Sequence, residues 1–335
     1  MAKPLIDSVA ALEQVVGRKP AGIDLKVIDH LDDCALRWIA CSPLMFAGFG
    51  GNAIGVTLGG GEPGFAHAAR GELRLPAGTL DDPSLARPGC GFGSLFLVPG
   101  IGEALRVNGR VTKAEGSEIA IAVEECYMHC AKALIRSAFW SAQPDAAAPA
   151  PARQFVAESA FMALATCDAD GNVDLSPKGD PPGRMALLDE TGTLHFADRP
   201  GNRRTDSFRN ILTQPGIAGA LLIPGACEVA LFQGVARLTT DEAERERFTV
   251  NDRVPLLVVD VEDARVEKRH SPALQKARLW PSRPAPEDLD AAEIFTAHLK
   301  LNKDKSLSAR IASAAVSVPG LMRKGLERDY KSNLY

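Results

Sequence analysis

A chain of 335 residues, 46% hydrophobic and 24% charged, is long enough for two hydrophobic cores and has the make-up of a soluble globular protein. Its formal net charge of −4 gives neither the basic footprint of a general nucleic-acid binder nor a polybasic membrane patch. No run of about 18 apolar residues occurs, and MAKPLIDSVAALEQVVGRKP has no signal-peptide core, so the sequence predicts a cytoplasmic protein outside the membrane.

Along the first half, Ala35–Cys41 reads as an apolar element, and the glycine-rich Gly48–Gly61 reads as turns. Leu95–Val111, LFLVPGIGEALRVNGRV, reads as an apolar strand, a Pro-Gly turn and an alternating strand, which together make a hairpin. Ile119–Val123 is a β-branched strand. In Val123–Trp140, VEECYMHCAKALIRSAFW, a helical reading puts His129, Lys132 and Arg136 together on one face. Ser141–Arg153, SAQPDAAAPAPAR, lacks large apolar residues and reads as an interdomain linker.

The second half repeats the first. Leu221–Ala236, LLIPGACEVALFQGVA, sets Pro224-Gly225, Glu228 and Gly234 in register with Pro99-Gly100, Glu103 and Gly109. Phe161–Cys167 aligns with Ala35–Cys41, and Asp174–Gly183 with Gly55–Gly64. Val254–Val261 is the counterpart of Ile119–Val123, and each copy runs on to a tryptophan, Trp140 and Trp280. Short strands separated by turn signals predict a small barrel in each half. Beyond Pro281, Glu287–Leu301 and Leu307–Arg328 have helical periodicity, broken in the second at Pro319-Gly320, and read as a packing extension or a lid. The predicted division is 1–140, a linker over 141–153, a second domain over 154–281 and a helical extension over 282–335.

The seven cysteines form no C-x-x-C pair and read as free, mostly buried thiols. Cys126, His129 and Cys130 have too few partners for a metal site, so none is predicted. Two polar clusters carry the chemistry. Ser176-Pro177-Lys178-Gly179-Asp180-Pro181-Pro182-Gly183 follows a predicted strand and offers a hydroxyl, an ammonium and loop N–H groups, the parts that hold a phosphate. Asp198-Arg199-Pro200-Gly201-Asn202-Arg203-Arg204-Thr205-Asp206-Ser207 opens a helix over Thr205–Leu212, and its arginines crowd charge at a helix start, where cations are unfavourable unless an anion compensates them. Each cluster alone also reads as a solvated turn with local ion pairs; two on adjacent predicted strands favour an anion site.

These two segments, SPKGDPPG and DRPGNRRTDSFRNI, resemble the pyridoxamine 5′-phosphate oxidase-like FMN-binding split barrels, over about 155–280 closely and over 30–140 through its later part. The resemblance implies an α+β protein, mainly β with helices, built as two tandem split barrels. It implies that Ser176, Lys178, Arg199, Asn202 and Arg204 contact the FMN phosphate and ribityl chain, with Arg203 at a looser position. It places the isoalloxazine against strand backbone near Pro177–Asp180 and Phe196–Asp198, with Pro177, Gly179 and Asp198 among the cofactor contacts. Tyr127, His129, Cys130, Lys132, Arg136, Ser137 and Trp140 resemble the family's C-terminal segment, which makes His129 and Arg136 the candidate catalytic pair.

Family members form twofold dimers with FMN between subunits. In the first half Thr57–Gly61 stands where Ser176–Asp180 stands in the second, and Ala77–Asp81 stands where Asp198–Asn202 stands. Conversely, Glu267–His270 replaces Tyr127–Cys130. Such complementary losses predict an intramolecular pseudo-dimer with one composite site, association of two whole chains being the alternative. The leading function is an FMN-dependent oxidoreductase acting on a small molecule, with an electron donor such as NAD(P)H. The alternatives are a haem-binding or haem-degrading barrel using His129, His270 or His298, a non-catalytic flavin-binding module, and a relic with no cofactor.

Overall fold

The computed structural model describes residues 3–20, 22–51, 53–201, 203–302 and 321–335. The N-terminal part contains β1 (Leu5–Ile6), α1 (Val9–Val16), α2 (Asp33–Cys41), β2 (Leu44–Phe49), β3 (Gly55–Gly60), β4 (His67–Ala69), β5 (Glu72–Pro76), β6 (Gly91–Leu97), β7 (Ala104–Glu115), β8 (Glu118–His129) and α3 (Lys132–Arg136). The C-terminal part contains α4 (Ala152–Glu158), β9 (Phe161–Cys167), β10 (Val173–Gly179), β11 (Leu187–Leu188), β12 (Leu194–Ala197), α5 (Asp206–Thr213), β13 (Gly216–Leu222), β14 (Glu228–Thr239), α6 (Glu242–Glu246), β15 (Val258–His270), α7 (Pro272–Ala277), α8 (Ala291–Leu301) and α9 (Leu321–Ser332).

The repeat read in the sequence is a repeat of topology. One antiparallel sheet has the order β3-β2-β6-β7-β8-β5-β4, the other β10-β9-β13-β14-β15-β12-β11. Leu44 pairs with both Gly60 and Leu97, and Phe161 pairs with both Gly179 and Leu222. That register makes Thr57, Leu58 and Gly59 the counterparts of Ser176, Pro177 and Lys178, as the sequence alignment has them. It also makes His129 the counterpart of Arg269, through Ala104 and Val229.

Three large apolar clusters result among the described residues. Each sheet encloses its own, one around Trp38, Phe92 and Phe96, the other around Phe155, Phe196 and Phe232. The third lies between the domains and draws Leu44, Phe46 and Leu97 against Phe161, Ala163 and Leu175. Each domain lends a helix to the other: α3 packs on β10, and α7 packs on β3. The helices come so close that a Cβ on Gly179 would collide with the Ala133 carbonyl, and one on Gly60 with that of Ala273. Only glycine allows a backbone to pass at this distance. The ends of the chain cross over as well. β1 pairs with β14, and Leu12 and Val16 of α1 join the second domain's core. Ile294 of α8 joins that of the first.

Several expectations are corrected. Val123–His129 is strand, not helix, so His129 ends β8 while Lys132 and Arg136 lie on α3. Ala35–Cys41 is a helix; β2 is the true counterpart of Phe161–Cys167. Most of Gly48–Gly61 is strand rather than turn. Only Cys90 and Cys126 are buried thiols, the other five being half-buried. The second tail helix falls mostly outside the described residues, which resume at 321.

Candidate functional site

The site is built on β10 and β12, strands towards opposite ends of the second domain's sheet, and on β7, β8 and α3 of the first. Both predicted polar clusters border one cavity of about 700 Å³, which Arg106, Tyr127, His129 and Lys132 close from the first domain. A narrower cleft continues past His129 to Arg136, Gly179 and Asp180.

Ser176 lies in the middle of β10, its Oγ accepting from Arg106 Nη2 and from Ser207 Oγ, each at 3.0 Å. Pro177 and Gly179 contribute backbone, Gly179 being covered by α3. Lys178 is different. Among the described residues its Nζ has no hydrogen-bond acceptor; it lies over the Phe208 ring, 4.9 Å from the centroid, and 6.0 Å from that of Phe196. Burial pushes its ammonium below the usual lysine range, the nearby Asp198 carboxylate opposing and Arg136 adding to the effect. Asp198, in turn, is raised by burial against the pull of Lys178 and Arg136.

The arginines of the second cluster divide. Arg199 donates to Asp180 at 2.6 Å and to the Phe248 carbonyl at 2.7 Å, and so clamps the loop to the strand. Arg203 is exposed and Arg204 is paired with Asp206 and with Asp24. Arg203 and Thr205 both take left-handed backbone, with φ of 55° and 57°. For non-glycine residues this is uncommon, and here it marks the turn that presents α5 to the cavity. Asn202 lies outside the described residues.

The first domain supplies a cluster of its own. Tyr127 receives a 2.6 Å hydrogen bond from Arg106, while Arg204 lies 4.5 Å and Lys26 5.2 Å from its ring centroid. Lys26 is buried and donates to the Met128 carbonyl; desolvation lowers it to about 8. His129 sits among these cations. Burial first, then the fields of Arg106, Lys26 and Arg204, push its imidazole well below the usual range, so it is neutral. Its buried Nδ1 has no partner among the described residues, and neither has Arg106 Nε. Arg136 donates to the Pro200 carbonyl at 2.5 Å and to that of Leu334 at 2.6 Å. Tyr335 lies 5.3 Å and 5.7 Å from Arg136 and Arg199, over the same cleft. Of the three candidate haem histidines, only His129 borders the cavity: His298 is fully buried near Asp32, and His270 pairs with Gln275.

Sequence reasoning placed Ser207 in the second polar cluster without giving it a role, and missed Arg106 and Tyr335. Arg106 carries a readable signal, a charge set between Leu105 and Val107 where the other copy has Leu231. The pseudo-symmetric position of the cavity is built differently. Thr57, Leu58 and Gly59 replace the polar strand end, and Asp81 is consumed by accepting from Ser271 and from the Ala273 N–H that starts α7.

Outside this region, His195, Glu244 and Asp260 approach closely enough to hold an ion. The place is taken by Lys3, whose ammonium is 3.1 Å from Glu244 and 2.9 Å from Asp260.

Residues 148–279 match the family model for pyridoxamine 5′-phosphate oxidase. Among solved structures, HupZ from Group A Streptococcus is 22% identical over 36% of this chain and 94% of that one, with a TM-score of 0.30. An F420 reductase is 16% identical over 36% of this chain and 98% of that one, TM-score 0.27. General Stress Protein 26 from Bacillus anthracis is 13% identical over 36% and 95%, TM-score 0.27. No curated protein matches the chain. Residues 148–279 are thus similar to the pyridoxamine 5′-phosphate oxidase family, and the chain carries that segment's strand order a second time in its first half.

Proposed function

We propose that the chain binds one FMN in the cavity between its two domains and acts as an FMN-dependent oxidoreductase on a small molecule. The observation that carries this reading is the half-buried Lys178 ammonium, which has no hydrogen-bond acceptor or ion pair within bonding distance among the described residues and is flanked by the Ser176 and Ser207 hydroxyls and the start of α5. A desolvated ammonium with no bonded acceptor is costly, and a phosphate is the anion this donor set suits. The donor set therefore fits the phosphate end of a flavin nucleotide.

Bound FMN would supply the ring that accepts a hydride or electrons. The chain's residues do the rest. Lys178, Ser176 and Ser207 hold the phosphate. Arg199, fixed to Asp180, and Arg204, fixed to Asp206, set the loop that walls the cavity. His129 is a neutral hydrogen-bonding group facing the flavin or substrate, not a proton source at neutral pH. Arg136 and Tyr335 border the cleft through which a small substrate would approach. The pseudo-symmetric position, with Asp81 committed to α7, supports one site per chain rather than two.

The test is the absorbance spectrum of the purified protein, with flavin counted per chain and mass measured at high dilution. The expected result is one FMN per monomeric chain. A protein that stays colourless after incubation with FMN overturns the cofactor; flavin held only by a dimer overturns the intramolecular site.

A further inference from the structure

Arg106 is the most buried lysine or arginine among the described residues, 1% exposed, on a strand of the first domain, yet most of its hydrogen bonds go to the second. It donates to Asp174 Oδ1 at 2.9 Å, to the Leu175 carbonyl and to Ser176 Oγ at 3.0 Å, keeping one bond, to Tyr127, at home. We propose that Arg106 is the positioning residue of the phosphate site: it fixes the Ser176 hydroxyl as a donor aimed into the cavity and so makes the second domain's site depend on the first. The inference rests on the reading of that cavity as an FMN site.

The argument is one of hydrogen-bond capacity. A serine hydroxyl has one donor and two acceptor positions. Arginine can only donate and does not lose its proton in proteins, so the Arg106 contact fills one acceptor position of Ser176 irrespective of pH. Ser207 fills the other. With Ser207 donating, the capacity left on Ser176 is its O–H, and Ser176 borders the cavity. If the Ser176–Ser207 bond runs the other way, the free donor moves to Ser207, which borders the same cavity. In either case the pair keeps one O–H free to donate to an anionic acceptor. Asp174 compensates the guanidinium charge. At the pseudo-symmetric position the residues are Leu231 and Thr57, and no such lock exists.

The experiment compares FMN with riboflavin, which lacks the phosphate, by titration against the wild-type chain and Arg106→Lys. Lysine keeps the charge but cannot reach Tyr127, Asp174, Leu175 and Ser176 together. The expected result is that the wild-type preference for FMN over riboflavin falls about tenfold or more in R106K, the scale of a lost charge-assisted hydrogen bond, with riboflavin affinity nearly unchanged. Ser176→Ala, which leaves the Arg106–Asp174–Tyr127 contacts in place, should lose the same preference, and the double variant should lose little more. It provides the readout if R106K does not fold. A preference unchanged in R106K, or in S176A, overturns the positioning role while leaving the FMN site standing; equal loss of both ligands shows a merely structural arginine and also overturns it. A wild-type chain that binds neither flavin overturns the FMN reading and this inference together.

Discussion

Lys178 shows how one residue's surroundings set a testable pH dependence. Its ammonium rests on the Phe208 ring with no acceptor among the described residues, and burial holds its pKa below the ordinary range. It therefore loses its proton at a lower pH than an exposed lysine. The proposed ligand is a phosphate dianion, which binds the charged form. FMN affinity should fall as pH rises through the lysine's lowered pKa, and riboflavin affinity should not. Lys178→Arg, which stays charged, should flatten that alkaline loss. Lys178→Met should cost about tenfold to a hundredfold in FMN affinity at neutral pH, the range of a charge-assisted contact. A K178M chain binding FMN as tightly as wild type would remove the lysine from the site. Ser176 and Lys178 were legible in the sequence because their types and spacing are those of an anion cradle. Arg106 was not, since nothing local shows that a strand residue of one domain will point into the other. The comparison of Arg106 with Leu231 is the signal that would have exposed it.

Elements were legible where period and punctuation agree, and misread where burial removes the period. The Pro-Gly hairpins hold in both copies. β8 lost its strand signature because Cys126, Tyr127 and Met128 are all buried: a strand covered on both faces does not alternate. Gly48–Gly61 reads as turns because glycine marks turns; here Gly48 lets β2 approach Ala165 and Val173 of the other domain. The same close approach makes Gly179→Ala a sharp test of the exchanged helix. Its Cβ would meet the Ala133 carbonyl, so α3 must shift. The expected cost is about 1–3 kcal/mol in denaturant unfolding, with weakened FMN binding, because α3 borders the cleft. Gly60→Ala, its counterpart, should destabilise without touching flavin affinity. Docking of β1 has its own pH signature. Burial lowers His195, but hydrogen bonds to Asp260 and Asp189 outweigh it, and the net pKa is raised. A raised pKa contributes stability that is fully present below the unfolded value and lost as pH rises through the folded one. The Tm difference between wild type and His195→Gln should therefore be largest below about pH 6.5, the ordinary value, and shrink on the alkaline side. A difference independent of pH would show that His195 acts as a neutral hydrogen-bonding residue.

At the scale of the whole molecule the question is whether the two domains hold together by their interface or by the chain that joins them. The interdomain cluster has the character of a protein core, with Leu44, Phe46, Leu97, Phe161 and Leu175 all buried and the Phe46 and Phe161 rings 5.4 Å apart. Obligate dimer interfaces have this make-up. The segment 141–151 between the domains is by contrast short of large apolar side chains, and its hydrogen bonds to the second domain include Ala146 N–H to the Gly225 carbonyl and Lys268 to that of Pro149. Its contribution is to raise the effective concentration of one domain near the other, not to supply contact energy. Each domain also holds a terminal segment that crosses from the other side, β1 and α1 on the second sheet and α8 on the first. A protease site placed between Ala147 and Ala150 and then cut should leave two fragments that co-elute on gel filtration at micromolar concentration, with flavin still bound. They should part only at denaturant concentrations that unfold them. Fragments that separate in buffer on cutting would show that the tether carries the assembly, and the composite site would then exist only at the effective concentration the linker provides.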